Sequence, residues 1–237
     1  MMKIEQTMKS IRSLTALTLT GVAMVSASAN AATLASWDAW ADSDTAGGLA
    51  SDFSTASITT TITGTAVRDI VTNRGSNDGT FGTLAGAVSD TNALRMNKPD
   101  GSILQVNVAN NSGATLSFDQ LHFDGVFTGD SIRDFEVVFV NTSTATTSGL
   151  LGSGSITSDT NTVTFVADYD DFDIDVSSIT LDSGDEGYFQ ITFDGGTGGI
   201  NSASTIDNVA LTTVVPEPSS AALLGLGGLA LIMRRRQ

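Results

Sequence analysis

In two stretches of this 237-residue chain every second residue is apolar, and that two-residue period constrains the fold more than any other feature. Leu104, Val106 and Val108 alternate with Gln105 and Asn107, and Phe189, Ile191 and Phe193 alternate with Tyr188, Gln190 and Thr192. Successive side chains of a strand point to opposite faces, so each stretch predicts a strand with one face on a core and the other toward water. Phe135 to Val140 is apolar at nearly every position and predicts a central strand covered on both faces; period alone leaves a buried helix open there. Further strands are predicted at Leu34 to Trp40, Ser57 to Thr63, Val67 to Val71, Thr115 to Phe123, Val163 to Val166, Asp173 to Leu181 and Ile206 to Thr213. Turn residues separate them, among them Asn77-Asp78-Gly79, Pro99-Asp100-Gly101, Asn111-Ser112-Gly113, Asp182-Ser183-Gly184 and the run Gly195 to Gly199. No amphipathic helix of convincing length interrupts this order. Short strands at such spacing predict an all-β chain folded as a single β-sandwich, with a jelly roll as the favoured version. The low-complexity segment Asn141 to Ser155 is expected to form a long hairpin loop or surface flap.

The body from residue 32 to residue 214 is long enough for one domain with a sizeable core. It carries 24 acidic and five basic residues, a formal charge of −19. So acidic a surface argues against nucleic acid or anionic lipid as a partner and favours solubility, divalent cations or simply mutual repulsion at a crowded surface. The chain has no cysteine, so neither disulfides nor thiolate chemistry contribute and packing alone must hold the core.

Both ends of the chain differ from this body. Lys3, Lys9 and Arg12 precede a mildly apolar run from Leu14 to Val25, and small residues at Ala27, Ala29 and Ala31 offer cleavage sites; residues 1–31 are the pattern of a secretory signal peptide. At the other end, residues 215–237, three parts follow in order. Pro216-Glu217-Pro218 breaks the preceding strand, because proline lacks a donor and biases its predecessor toward extended backbone. The uncharged run Ser219 to Met233 would rise about 22 Å as a helix, short of a hydrocarbon core of roughly 30 Å. Arg234, Arg235 and Arg236 lengthen the span by snorkelling and, by the positive-inside rule, hold this end in the cytoplasm.

Val215-Pro-Glu-Pro-Ser219, the glycine-interrupted apolar run and the terminal arginines together resemble the PEP-CTERM sorting signal of Gram-negative bacteria. That resemblance implies a transmembrane sorting helix, processing by a membrane-embedded exosortase, and export toward the cell surface or an extracellular polysaccharide matrix. The partners implied are the secretion machinery, signal peptidase, the inner membrane and exosortase, with the body periplasmic before it is sorted. Inside the body, Asp182 to Ile191 and Thr205-Ile-Asp207-Asn208-Val209-Ala-Leu211 are similar to the late strands of secreted carbohydrate-binding-like jelly rolls. That second resemblance places Asp207 near a structural calcium, if one exists.

Signals for chemistry in the body are sparse. His122 is the sole histidine and no nucleophile elbow surrounds any serine, so Ser/His/Asp catalysis and histidine-based zinc sites have no support. Glu136 and Glu186 are the body's two glutamates, and Glu136, inside an apolar strand, is the acid with a prospect of desolvation, though an edge or outward-facing position explains it as well. Asp171, Asp173 and Asp175 fall on alternate positions, so a strand would project them from one face about 7 Å apart; the favoured reading is a solvated acidic face that keeps an exposed strand from aggregating, with calcium, which suits the row in kind, as the alternative. Asp42-Ser43-Asp44 opens like a calcium loop but lacks the later ligands of an EF-hand. Sugar rings stack on exposed aromatics, for which Trp37, Trp40, Tyr169 and Tyr188 are the candidates; Trp37 and Trp40, three apart in a strand, would face opposite ways. The expectation is a non-enzymatic structural or adhesive surface protein. A carbohydrate-binding module, with or without calcium, is the first alternative and a glycan-active enzyme the second.

Overall fold

The computed structural model describes residues 31–40, 49–64, 67–72, 74–87, 92–97, 102–128, 134–158, 169–194 and 203–214. The predicted signal peptide up to residue 30, the strand at Val163 to Val166, the loop at Asp42, the turns at Pro99 and at Gly195 to Gly199, and the C-terminal signal from Val215 lie outside them; Ala31, the last residue assigned to the signal peptide, opens β1. Among the described residues there is no helix, and hence none long and apolar enough to cross a membrane.

Two sheets pack face to face. The first contains β1 (Ala31–Trp37), β3 (Phe53–Ser54), β5 (Val67–Thr72), β8 (Asn92–Asn97), β10 (Leu116–Thr128), β14 (Asp170–Asp175), β15 (Thr180–Leu181) and β17 (Ala203–Val214). Its spine runs β14-β10-β17-β1-β3, with β8 and β5 continuing from β17 and β15 pairing the start of β10. The second contains β2 (Leu49–Ala50), β4 (Ile58–Gly64), β9 (Ser102–Asn110), β11 (Asp134–Asn141), β12 (Thr146–Thr147), β13 (Gly152–Ser155) and β16 (Glu186–Asp194), ordered β12-β11-β16-β9-β4-β2 with β13 also on β11. A separate small hairpin, β6 (Thr80–Phe81) with β7 (Leu84–Ala85), completes the chain order. Every pairing is antiparallel, as hairpin-connected strands without crossover helices require.

The core follows the period-two pattern. Leu104, Val106 and Val108 on β9 and Phe189, Ile191 and Phe193 on β16 are buried, while their alternating polar neighbours are half-exposed. Two aromatic trios clamp the sheets together. Phe118 of the first sheet meets Phe189 edge-on at 5.0 Å and Phe139 at 6.1 Å. Phe123 stacks on Phe172 at 5.0 Å, and Phe135 from the opposite sheet meets both rings edge-on. Edge-to-face and offset contacts of this kind add to the burial of each ring within a shared core of leucine, isoleucine and valine side chains from both sheets.

Two strand expectations change on the structure. Phe135 to Val140 is not covered on both faces: Phe135, Val137 and Phe139 are buried, whereas Glu136 is exposed and Val138 half-exposed. Its outward valines lie among strand neighbours rather than under a third layer. The segment predicted as a strand from Asp173 to Leu181 breaks at Ser177, where β14 ends in a turn before β15. Residues 141–155 form the expected excursion from β11, with β12 and β13 folding back beside it. Its low complexity has a packing reason at Gly154, where a Cβ would lie 2.7 Å from the Phe135 ring.

Candidate functional site

The site is built on the outer face of the first sheet, opposite the aromatic core. In β10, Phe123 points inward, so His122 and Asp124 point outward. Antiparallel register sets Asp124 directly opposite Asp171 on β14 and Asp207 on β17, and sets His122 opposite Asp173. Three aspartates therefore lie in one row across three adjacent strands. Directly opposed side chains stand about 5 Å apart, a spacing at which like charges are destabilising.

A β-bulge adds a fourth member. Between the pairs His122–Ala210 and Asp124–Asp207, β17 has one residue more than β10. Asn208 takes up the extra length with φ +46, a conformation asparagine tolerates better than most residues. The bulge turns the Asn208 amide toward β10, where its Nδ2 donates to Asp124 Oδ2 at 2.8 Å.

The loop 74–87 roofs this row, and aspartates hold it down. The Ser76 amide donates to Asp207 Oδ2 at 2.6 Å, the Gly82 amide to Asp124 Oδ1 at 2.7 Å, and the Thr83 amide and hydroxyl to Asp173. The Tyr169 hydroxyl donates to the Arg74 carbonyl at the loop's start. Gly82 begins the two-residue turn between β6 and β7 with φ +52, the position where such a turn takes glycine. It also sits so close to β14 that a Cβ would lie 2.6 Å from the Phe172 carbonyl and 2.5 Å from Asp173 Oδ1.

Under this roof Asp124 and Asp207 are fully buried. Burial, against hydrogen bonds from Gly82 and Asn208 and reinforced by the charges of Asp78 and Asp171, raises the Asp124 carboxyl to about 8. Burial likewise raises Asp207 well above the usual carboxylate range, although the Trp40 indole and the backbone N–H groups of Ser76 and Asn208 all donate to it. Tyr169 is pushed up by burial and then by the charges of Asp207 and Asp124. One carboxylate oxygen each from Asp78, Asp124 and Asp171 lies within 4.8 Å of the others. At that distance two unit charges repel by about 3.5 kcal/mol at an effective dielectric of about 20, less where water screens the exposed pair. An all-oxygen donor set of this kind suits a hard divalent cation and not zinc or copper.

The candidates named from sequence separate on the structure. Asp171 joins the cluster. Asp173 accepts from the His122 ring at 2.6 Å and from Thr83, and Asp175 accepts from the Ser177 amide and hydroxyl. Asp207 lies beside the cluster and accepts the Trp40 indole N–H at 2.5 Å. Trp37 and Trp40 are both in the core, the first donating to the Leu49 carbonyl at 3.1 Å, so neither indole is open to a sugar face. Tyr169 is buried at the roof, and Tyr188 alone of the four aromatics is half-exposed, on the outer face of β16. His122 is buried between Asp173 and Thr212 and links strands. Glu136 and Glu186 are both exposed, and the β11–β16 register sets Glu136 opposite Thr192, six positions or about 20 Å along β16 from Glu186. Paired carboxylates for glycoside hydrolysis stand about 5–10 Å apart, so these two do not form such a pair. Pro216, Glu217, Pro218 and Arg234 to Arg236 lie outside the described residues.

Sequence reading did not single out Asp78, Asp124 or Asn208. Asp124 had a signal, a lone acid inside the apolar run Leu121 to Phe127. Asn208 had none, because the bulge that aims it exists only in the register of two strands 80 residues apart.

Residues 214–237 match the PEP-CTERM protein-sorting motif. No curated protein matches the chain. Solved structures similar to it include the carbohydrate-binding module TmCBM61 in complex with β-1,4-galactotriose, at 12% identity over 65% of this chain and 88% of that chain, TM-score 0.35. Others are the K3 cleaved adhesin domain of Lys-gingipain from Porphyromonas gingivalis W83, at 10% identity over 77% and 99%, TM-score 0.35, and a family 29 carbohydrate-binding module from Piromyces equi, at 12% over 65% and 91%, TM-score 0.31.

Proposed function

We propose that this chain is an exported structural or adhesive protein of the cell surface or extracellular matrix, delivered there by its C-terminal sorting signal. The carrying observation is the PEP-CTERM motif at residues 214–237, which begins at the last residue of β17 with no linker between. In β1 and β17, Ala32 pairs with Thr213, so the two ends of the body lie side by side in the first sheet. On this reading residues 1–31 are a signal peptide, Ser219 to Met233 a transmembrane sorting helix, and the arginines its cytoplasmic stop. The body, wound as a jelly roll, is periplasmic cargo until exosortase acts at Pro216-Glu217-Pro218. Replacing all three motif residues by alanine leaves the protein in the inner-membrane fraction, measured by fractionation and immunoblot. Equal surface yield from the variant would overturn the reading.

A second reading has one specific support. On the outer face of the second sheet Asn107 and Thr61 flank the half-exposed Tyr188 ring with Glu186 at the edge, and Gln105 and Gln190 continue the polar surface along the strands. Sugar hydroxyls pair with such groups while a pyranose face lies on the ring. A glycan array with the wild-type protein and Tyr188→Ala tests it: binding lost in the variant supports a carbohydrate-binding face, and no binding by the wild type removes it.

A further inference from the structure

We infer that the cluster of Asp78, Asp124, Asp171 and Asn208 is a calcium site that locks the loop 74–87 onto the sheet. The acids alone would not carry this, since acidic groups commonly sit together at a surface. Asn208 supplies the independent observation. Its side chain is fully buried, its amide faces Asp124, and its Oδ1 has no hydrogen-bond partner. Four buried side-chain oxygens lack partners among the described residues, and three of them belong to Ser76, Thr80 and Asn208, in the roof or against it. Elsewhere the described interior is nearly fully satisfied, as native interiors are, so the deficit is concentrated where the carboxylates converge.

A cation resolves both anomalies together. With none bound, the Asn208 N–H₂ donates to Asp124 and Oδ1 is left without a partner. With a cation between them the amide turns over, and Oδ1 and Asp124 Oδ2 become neighbouring ligands. The Gly82 N–H bond to Asp124 Oδ1 does not block coordination, since each carboxylate oxygen has two lone-pair sites. Three carboxylates and one amide oxygen leave two to four positions for water or backbone carbonyls in the six to eight oxygens calcium takes. Magnesium, which demands a near-ideal octahedron and keeps its water, suits donors drawn from a loop, two strands and a bulge less well. The consequence is mechanical: Asp78 belongs to the loop, Asp124, Asp171 and Asn208 to the sheet, so the ion ties one to the other.

Hydrogen exchange of the full chain in detergent, with calcium, magnesium or chelator, tests this. Extracellular calcium modules bind with Kd of about 10⁻⁴–10⁻³ M, and at about ten times Kd protection of residues 74–87 grows roughly elevenfold. Asp78→Asn keeps the Thr80 amide's acceptor and lies at the surface, so it folds and loses the calcium-dependent protection. Asp171→Asn loses it from the sheet side. Asp175→Asn, an exposed acid of the same strand outside the cluster, responds like wild type. Unchanged exchange in wild type overturns the site, as does a loss in Asp175→Asn equal to that in Asp78→Asn. Equal protection by magnesium overturns the calcium assignment.

Discussion

The outer faces of the two sheets are both polar and are built in opposite ways. On the second sheet, Gln105, Asn107, Gln190 and Thr192 are half-exposed and bond one another at 3.2–3.4 Å, Asn107 donates to Thr63 at 3.0 Å, and the acids among them, Glu136 and Glu186, stay in water. On the first, Asp124, Asp207 and His122 are buried beneath a loop that has few apolar residues of its own. The first arrangement costs little because water remains a partner for each group. The second is stable only while each buried carboxyl keeps its donors, since an unsatisfied buried polar group costs about 1–3 kcal/mol. Polar residues on a strand thus mark solvent in one sheet and a covered site in the other.

Breaking the covered face should have the largest effect. Asp207→Ala strands the Trp40 indole N–H and the Ser76 amide, and is expected to destabilise the protein by about 2–4 kcal/mol in urea unfolding. A loss as small as that of an exposed residue would mean the roof is not docked.

The titration of Asp124 comes next. Its folded value of about 8 lies far above that of an unfolded aspartate, so between about pH 4 and pH 8 the folded state keeps a proton that the unfolded chain has released. Without metal, stability is therefore greatest at the acid end of this window and falls as pH rises through it; Asp207, also raised by burial, adds to the fall. An ion at the inferred calcium site would hold the ionised carboxylate and flatten the slope. Asp124→Asn reduces the fall in chelator, measured by urea midpoints across pH. Asp170 and Asp173 act in the opposite direction and at lower pH. Burial raises both, but bonds from Ser158 and Thr157 to the first, and from Thr83 and His122 to the second, outweigh it and hold them below the usual range. Their contribution is present above about pH 4 and is lost as pH falls below it.

Gly82→Ala is expected to cost about 1–3 kcal/mol, from the left-handed backbone and the contact with Phe172. Faster proteolysis within residues 74–87 reports it locally. The smallest effect belongs to the open face: Gln190→Ala should change stability by about 0.5 kcal/mol or less, because its hydrogen bonds are long and water replaces them.

The same contrast explains what the sequence disclosed. Alternation identified β9 and β16 with their correct inward residues, because one face of each meets the core and the other meets water. Glycine turns at Gly113 and Gly184 were equally plain, since their φ angles of +81 and +89 need glycine. Where both faces of a strand are covered, the polar residues lost their meaning. Asp171, Asp173 and Asp175 do alternate on β14 as expected, yet each has a different partner, supplied by β10, the roof or the next turn. The meeting of Asp78, Asp124 and Asp171 depends on loop docking and strand register, neither of which is written in local pattern. The C-terminal signal was legible in full because its meaning is linear: a break, an apolar run and a cationic stop, in order, require no tertiary partner.

On the proposed reading export runs through that signal, and mass spectrometry of the C-terminus separates processing from anchoring. Surface-located protein from a host with its exosortase is expected to lack Arg234 to Gln237, and protein from a host without the enzyme to retain them in the membrane fraction. An intact tail on surface-located protein would contradict processing and leave the C-terminal segment as an anchor alone.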